Sequence, residues 1–110
     1  MITAPKIDEK KLEFNKELVL STGHITGNDD KLLNTFTSSE LCVYDYEYGY
    51  RIAVFEYNDE LFQKSLQVIM EEGYSESFCT LLLLAKEQKC QWLRLDCDGM
   101  VYDQLETFEW

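Results

Sequence analysis

The chain has 110 residues, 21 acidic against 10 basic, for a formal net charge of −11. That length fits one domain, and an apolar content of 45% with 14% aromatics supplies a real though small core, which excludes a disordered acidic tail. The negative field argues against direct contact with nucleic acid or an anionic membrane and favours basic protein surfaces.

Residues 1–16 mix both charges around the single Pro5 and read as a loose N-terminal arm with a helical turn over 8–16. The arm has no apolar signal-peptide core, and the longest apolar stretch, Leu81 to Ala85, is far below the roughly 18 residues of a membrane helix. A cytoplasmic protein is expected. Residues 17–110 read as a single α+β domain. Glu17 to Thr22 forms a first strand centred on Leu18, Val19 and Leu20. Gly23-His24-Ile25 leads into a helix capped by Thr26 or Asn28. Asp29 and Asp30 fall in its first turn, where negative charge complements the helix dipole. Leu32, Leu33 and Phe36 supply its apolar face.

Leu41 to Tyr57 is rich in Val, Ile, Tyr and Phe and predicts a hairpin with strands near 41–47 and 50–56. With Tyr48-Gly49 as a two-residue loop, Val43, Asp45 and Glu47 share a face with Tyr50, Ile52 and Val54. Cys42, Tyr44 and Tyr46 then share the other with Arg51, Ala53 and Phe55. Tyr is a poor residue at the first loop position, which needs positive φ, so a longer loop is the alternative. Asn58 caps a helix over 59–71, where Leu61, Phe62, Leu66, Ile69 and Met70 follow helical spacing and Gly73 ends it. Ser75 caps a helix over 76–89, apolar on most sides and therefore central. Trp92 to Cys97 is a strand in which Leu93, Leu95 and Cys97 alternate with Trp92, Arg94 and Asp96. Asp98-Gly99 is a turn, and Met100 to Tyr102 a short return strand. The order predicts an α+β fold: a single small domain, with a mainly antiparallel sheet of about four strands and helices packed on one face.

Cys42, Cys79, Cys90 and Cys97 have no C-x-x-C spacing, and three lie in apolar patterns. All four are expected to be reduced and structural. The only His is His24, distant in sequence from every Cys, so no zinc site is expected. Asp96 and Asp98, with Asp103 and Glu106 downstream, could bind a hard cation. Gly99 comes too early for a calcium loop, however, and paired acids at a strand end more often cap a turn. No phosphate-binding glycine loop is present, and neither metal nor cofactor is expected.

Ser21-Thr22-Gly23-His24-Ile25-Thr26 places a hydroxyl, a Gly and an imidazole at a strand-to-helix junction, where His24 could serve as a base. The plainer reading is that His24 fixes the turn. Tyr44, Tyr46, Tyr48 and Tyr50 interleave with Asp45, Glu47 and Gly49. Basic interleaving would suggest single-stranded nucleic acid; acidic interleaving suggests either ordinary sheet or a protein contact surface. The ending Phe108-Glu109-Trp110 is expected to dock and close the fold rather than project. The charge is also uneven: segments 40–60 and 96–110 each sum to −5.

Ser21-Thr22-Gly23-His24-Ile25-Thr26, Tyr46-Glu47-Tyr48-Gly49-Tyr50, Gly73-Tyr74-Ser75 and Trp92-Leu93-Arg94-Leu95-Asp96-Cys97-Asp98-Gly99, with the ending Thr107-Phe108-Glu109-Trp110, resemble a family of small acidic bacterial proteins. That family is carried on plasmids, prophages and integrated elements, often near antirestriction genes. The resemblance spans most of residues 17–110. The family's usual ending has Asp where this chain has Glu109, which keeps the charge. The family has no assigned activity to carry over. The resemblance implies a mobile-element setting and favours accessory or anti-defence proteins.

The leading expectation is a non-enzymatic, acidic interaction protein, an inhibitor of the anti-restriction or anti-CRISPR kind. It would occupy a basic, nucleic-acid-binding surface on a host or defence protein, with carboxylates standing in for phosphates. Asp45, Glu47, Asp96, Asp98, Asp103 and Glu106 would supply charge, and Tyr46, Tyr48 and Tyr50 contact area. The chain would be a monomer or homodimer. One alternative is a regulatory module dimerising through a sheet edge. Another is a small enzyme using His24 with Asp96 and Asp98, which requires the 21–26 and 96–99 turns to meet.

Overall fold

Alternating apolar side chains build the sheet, and spaced ones build the helices that cover it. The computed structural model describes residues 1–35 and 38–110. In chain order the elements are β1 (Glu17–Ser21), α1 (Gly27–Thr35), β2 (Val43–Tyr46), β3 (Gly49–Ala53), α2 (Asp59–Glu71), α3 (Glu76–Glu87) and β4 (Trp92–Asp96). Short 3₁₀ turns lie at Glu9–Lys11 and Thr22–His24. The four-stranded sheet runs β1-β4-β3-β2. β3 is antiparallel to both its neighbours, and β1 lies parallel to β4, with Leu18 opposite Leu93 and Leu20 opposite Leu95. The fold is α+β, as its element order implies.

One sheet face is dry. Leu20, Ile52, Leu93 and Leu95 are buried there with Phe62, Leu66 and Ile69 of α2 and Phe78, Leu81, Leu82 and Ala85 of α3. Each large side chain buried in this way stabilises the fold by roughly 1.5–3 kcal/mol. The opposite face is open. Both arginines stand on it, with Arg51 Nε donating to Glu17 Oε2 at 2.7 Å and Arg94 Nη2 lying 2.9 Å from Glu17 Oε1. The Arg51 guanidinium also sits 3.9 Å from the centre of the Trp92 ring, a cation–π contact.

The helix caps follow their sequence cues. Asn58 and Ser75 accept from the backbone N–H of Leu61 and Phe78. Thr26, not Asn28, caps α1: Asp29 N–H donates to Thr26 Oγ1, and Thr26 N–H donates back to Asp29 Oδ2, both at 3.0 Å. This reciprocal pair is a capping box with Asp in place of the usual Glu. Asn28 instead donates to the Gly73 carbonyl.

Four expectations change. The hairpin loop is Glu47-Tyr48, not Tyr48-Gly49, because Tyr46 pairs with Gly49. The strands are shorter than expected, and past Ala53 the chain turns so that Phe55 packs on Phe62, with ring centres 4.7 Å apart, instead of joining the outer face. Met100 to Tyr102 forms no strand: the chain crosses β1 and offers it one bond, Ser21 N–H to the Met100 carbonyl. In the arm only Glu9–Lys11 turns, and residues 1–16 are all exposed. Phe36, expected on the apolar face of α1, lies outside the described residues. All four cysteines are free, but Cys42 and Cys97 are exposed while Cys79 and Cys90 are buried. Burial, with Asp29 and Glu76 nearby, pushes the Cys79 thiol up to about 12. Among the described residues no helix is long and apolar enough to cross a membrane.

Candidate functional site

The hairpin turn and the turn after β4 meet at one end of the sheet. Gly49 makes this junction. It pairs with Asp96 in the ladder, and a Cβ on it would lie 1.8 Å from the Leu95 carbonyl oxygen. Only glycine allows that approach. Cys97 N–H donates to the Tyr48 carbonyl at 2.9 Å, and Tyr46 Oη donates to Asp96 Oδ2 at 2.5 Å. Asp96 Oδ1 accepts from Asp98 N–H at 2.8 Å, which closes the turn. These two bonds, the phenol's first, hold the Asp96 carboxyl below its ordinary value. Desolvation and the same bond to Asp96 push the Tyr46 phenol up to about 12.

Between this junction and α1 lies a cleft of about 270 Å³. Asp30 and Asn34 of α1, Asp45 to Tyr50 of the hairpin and Trp110 line it, and Thr22 and Cys97 complete the lining. Its lining holds three carboxylates, three tyrosines and a tryptophan, and no basic residue. Tyr50 is buried, and its hydroxyl donates to Asp30 Oδ1 at 2.8 Å, tying the hairpin to α1. Burial first, then that bond, raises the Tyr50 phenol far above its ordinary range. Asp45, Glu47 and Tyr48 remain exposed.

Trp110 arrives from the far end of the chain. Phe108 N–H donates to the Gly23 carbonyl, and Trp110 Nε1–H to the Ile25 carbonyl at 2.8 Å. Trp110 packs on Gly27, where an added Cβ would lie 3.3 Å from that of Trp110, yet the residue stays 59% exposed. The tail therefore docks, as expected, but its last side chain lines a groove and does not fill the core.

His24 is the peg that holds the tail. It is fully buried. Nδ1 donates to the Glu106 carbonyl at 2.9 Å, and Nε2 accepts from Tyr102 N–H at 3.0 Å. A carbonyl can only accept and an N–H only donate, so the tautomer is fixed and no ring nitrogen is left for a substrate. The 21–26 and 96–99 turns do adjoin, since Ser21 lies opposite Asp96 in the sheet. His24 nonetheless faces the tail.

The residues singled out from the sequence thus divide. Asp45, Glu47, Tyr46, Tyr48 and Tyr50 line the cleft. Asp96 and Asp98 do not: Asp96 alternates with buried Leu95 and so stands with Arg94 on the open face, where it holds Tyr46 and the Asp98 amide. Asp103 stands on an exposed turn of the tail. Glu106 accepts from Ser77 Oγ at 2.8 Å at the start of α3. Asp30 and Trp110 join the cleft although nothing local marked them as site residues. Asp96, Cys97 and Asp98 bring one ligand atom each within 4.8 Å of one another. Both Asp96 oxygens are already engaged, by Tyr46 and by the Asp98 amide, and partial desolvation with the charges of Asp98 and Asp96 raises the Cys97 thiol, which disfavours a thiolate ligand.

Residues 17–110 match the C-terminal domain of a family of unknown function, DUF5983, and the chain belongs to that family. No curated protein and no solved structure matches it.

Proposed function

From membership of a family without an assigned activity, we propose that the protein is a small acidic interaction protein. It occupies a basic, nucleic-acid-binding surface of a host or defence protein, in the anti-restriction or anti-CRISPR manner that a mobile-element setting favours. One observation carries the reading. Asp30, Asp45 and Glu47 share a concave surface with tyrosines and a tryptophan, and among the described residues no basic one lines it. Carboxylates on such a surface replace phosphates opposite Lys and Arg, and the aromatic side chains add contact area at low entropic cost. The two arginines lie on the open sheet face, where they share Glu17. His24, with both nitrogens engaged by backbone, lends no support to an enzyme.

The test is retention of an identified nucleic-acid-binding protein from host lysate on the immobilised chain. The expected partner elutes with moderate salt or with added DNA. Retention falls with Asp45→Lys and Glu47→Lys and is unchanged with Asp103→Lys. Partners that ignore salt, DNA and these substitutions refute the reading. A second reading, dimerisation, has one observation behind it: β2 is an outer strand of the sheet, with Tyr44 and Tyr46 exposed on it. A solution mass of one chain excludes it.

A further inference from the structure

The cleft points to more than a diffuse acidic patch. We infer that it is a receptor for a single arginine side chain, which the partner's basic surface inserts between the hairpin turn and Trp110. The inference rests on the proposed function and names the group that the cleft would recognise.

Size is the first argument. A cleft of about 270 Å³ falls just below the ~300–1,000 Å³ of pockets that take whole small molecules, so it suits one side chain. Wall chemistry is the second. Aromatic rings with carboxylates are the combination that holds a cation, because the ring quadrupole and the anions attract the same charge. Here Tyr48, Tyr50 and Trp110 line the cleft together with Asp30, Asp45 and Glu47.

Rigidity is the third argument. The Trp110 indole is tied to the Ile25 carbonyl, and the buried Tyr50 hydroxyl holds the Asp30 carboxylate, so one aromatic wall and one anion are positioned before any ligand arrives. Preorganisation lowers the entropic cost of binding. The choice of arginine over lysine follows from shape. A planar guanidinium stacks on a ring while its edge donates to two carboxylate oxygens, whereas an ammonium is a strongly hydrated point charge. Arginine and aromatic residues also dominate the few contacts that carry most binding energy at interfaces.

Nuclear magnetic resonance of the full chain tests this directly. The probe is N-acetyl-arginine-methylamide, with the norleucine analogue as an uncharged control of similar length. A lone side chain is expected to bind at about millimolar concentration. The Trp110 indole N–H and the Tyr48 and Gly49 amides should shift and saturate with the arginine compound only. The Trp92 indole, on the other sheet face, should stay in place. The double variant Asp45→Asn/Glu47→Gln should weaken binding about tenfold or more, with its unshifted amide spectrum confirming that it folds. No saturable shift, equal shifts with norleucine, or an unweakened double variant overturns the inference. The broader reading is separable on the same samples. Salt-dependent retention of a basic partner with a silent cleft removes the arginine pocket alone, and arginine binding without any such partner removes only the broader reading.

Discussion

Asp29→Ala should be among the most damaging single substitutions in this chain. Asp29 is fully buried. Its Oδ1 accepts from Ser75 N–H at 2.8 Å, and its Oδ2 accepts from Ser75 Oγ at 2.6 Å and from Thr26 N–H at 3.0 Å. Ser75 Oγ in turn accepts from Phe78 N–H, so one carboxyl group supports the starts of both α1 and α3. Truncation weakens two helix caps, at about 1 kcal/mol each. It also strands at least one buried donor, at about 1–3 kcal/mol. The expected loss is about 3–5 kcal/mol, a large share of the ~5–15 kcal/mol typical of a domain. Urea denaturation should show it as a midpoint lowered by about 2–3 M at an unchanged slope near 1.5 kcal/mol/M. Thr26→Ala, which removes one cap, should cost about 1 kcal/mol, and Asp103→Ala on the exposed turn less than about 0.5 kcal/mol. A loss below about 1 kcal/mol for Asp29→Ala would refute the argument that this side chain joins the two helices.

Gly49→Ala should destabilise by about 2–4 kcal/mol, because a Cβ 1.8 Å from the Leu95 carbonyl forces β3 away from β4. Thermal unfolding should fall by at least about 8 °C, and an unchanged midpoint would contradict the close approach. Removing Trp110 alone should cost little stability, since the residue is more than half exposed, but should abolish arginine binding in the cleft. A truncated chain that binds the arginine probe as tightly as the full chain would show that the indole is not a wall of the site. The Asp96 carboxyl is held below its ordinary value by Tyr46 and Asp98, so the fold favours its charged form. The associated stability is present above the unfolded carboxylate value of about 4 and is lost as pH falls through the lower folded value. Tyr46→Phe should move the Asp96 titration, followed by carboxyl carbon chemical shift, back toward that ordinary value. No movement would mean that the phenol does not hold the carboxylate in solution.

Local chemistry made most elements legible. The bounds of α2 follow from Asn58, the spacing of Phe62, Leu66 and Ile69, and the stop at Gly73. The start of α3 follows from Ser75. These cues act within a turn of helix, so the sequence alone carries them. The hairpin shows how far this goes. Its loop lies one residue earlier than the sequence predicts and its pairing differs by two, yet Tyr50 and Ile52 still share the face of Val43 and Asp45. Side chains alternate with a period of two, so a register shift of two positions leaves every face where it was. The apolar residues of Met100 to Tyr102 resemble a strand, but the segment's one bond to β1, from Ser21 N–H, depends on where β1 lies, which no local cue carries.

The amino-acid sequence by itself determined the order of elements, the caps, the acidic surplus and the tyrosine-rich hairpin that carries part of it. Tertiary structure alone decided which acids act together. Asp29 and Asp30 look alike as first-turn residues of α1, but successive helical side chains point about 100° apart. One therefore joins Ser75 inside the fold, and the other meets Tyr50 at the cleft. Likewise Asp96 reaches Tyr46, while Glu106 turns to Ser77 and Trp110 returns to Ile25. Each of these contacts joins residues far apart in the chain, and only the packing of the sheet and the path of the tail bring them into reach.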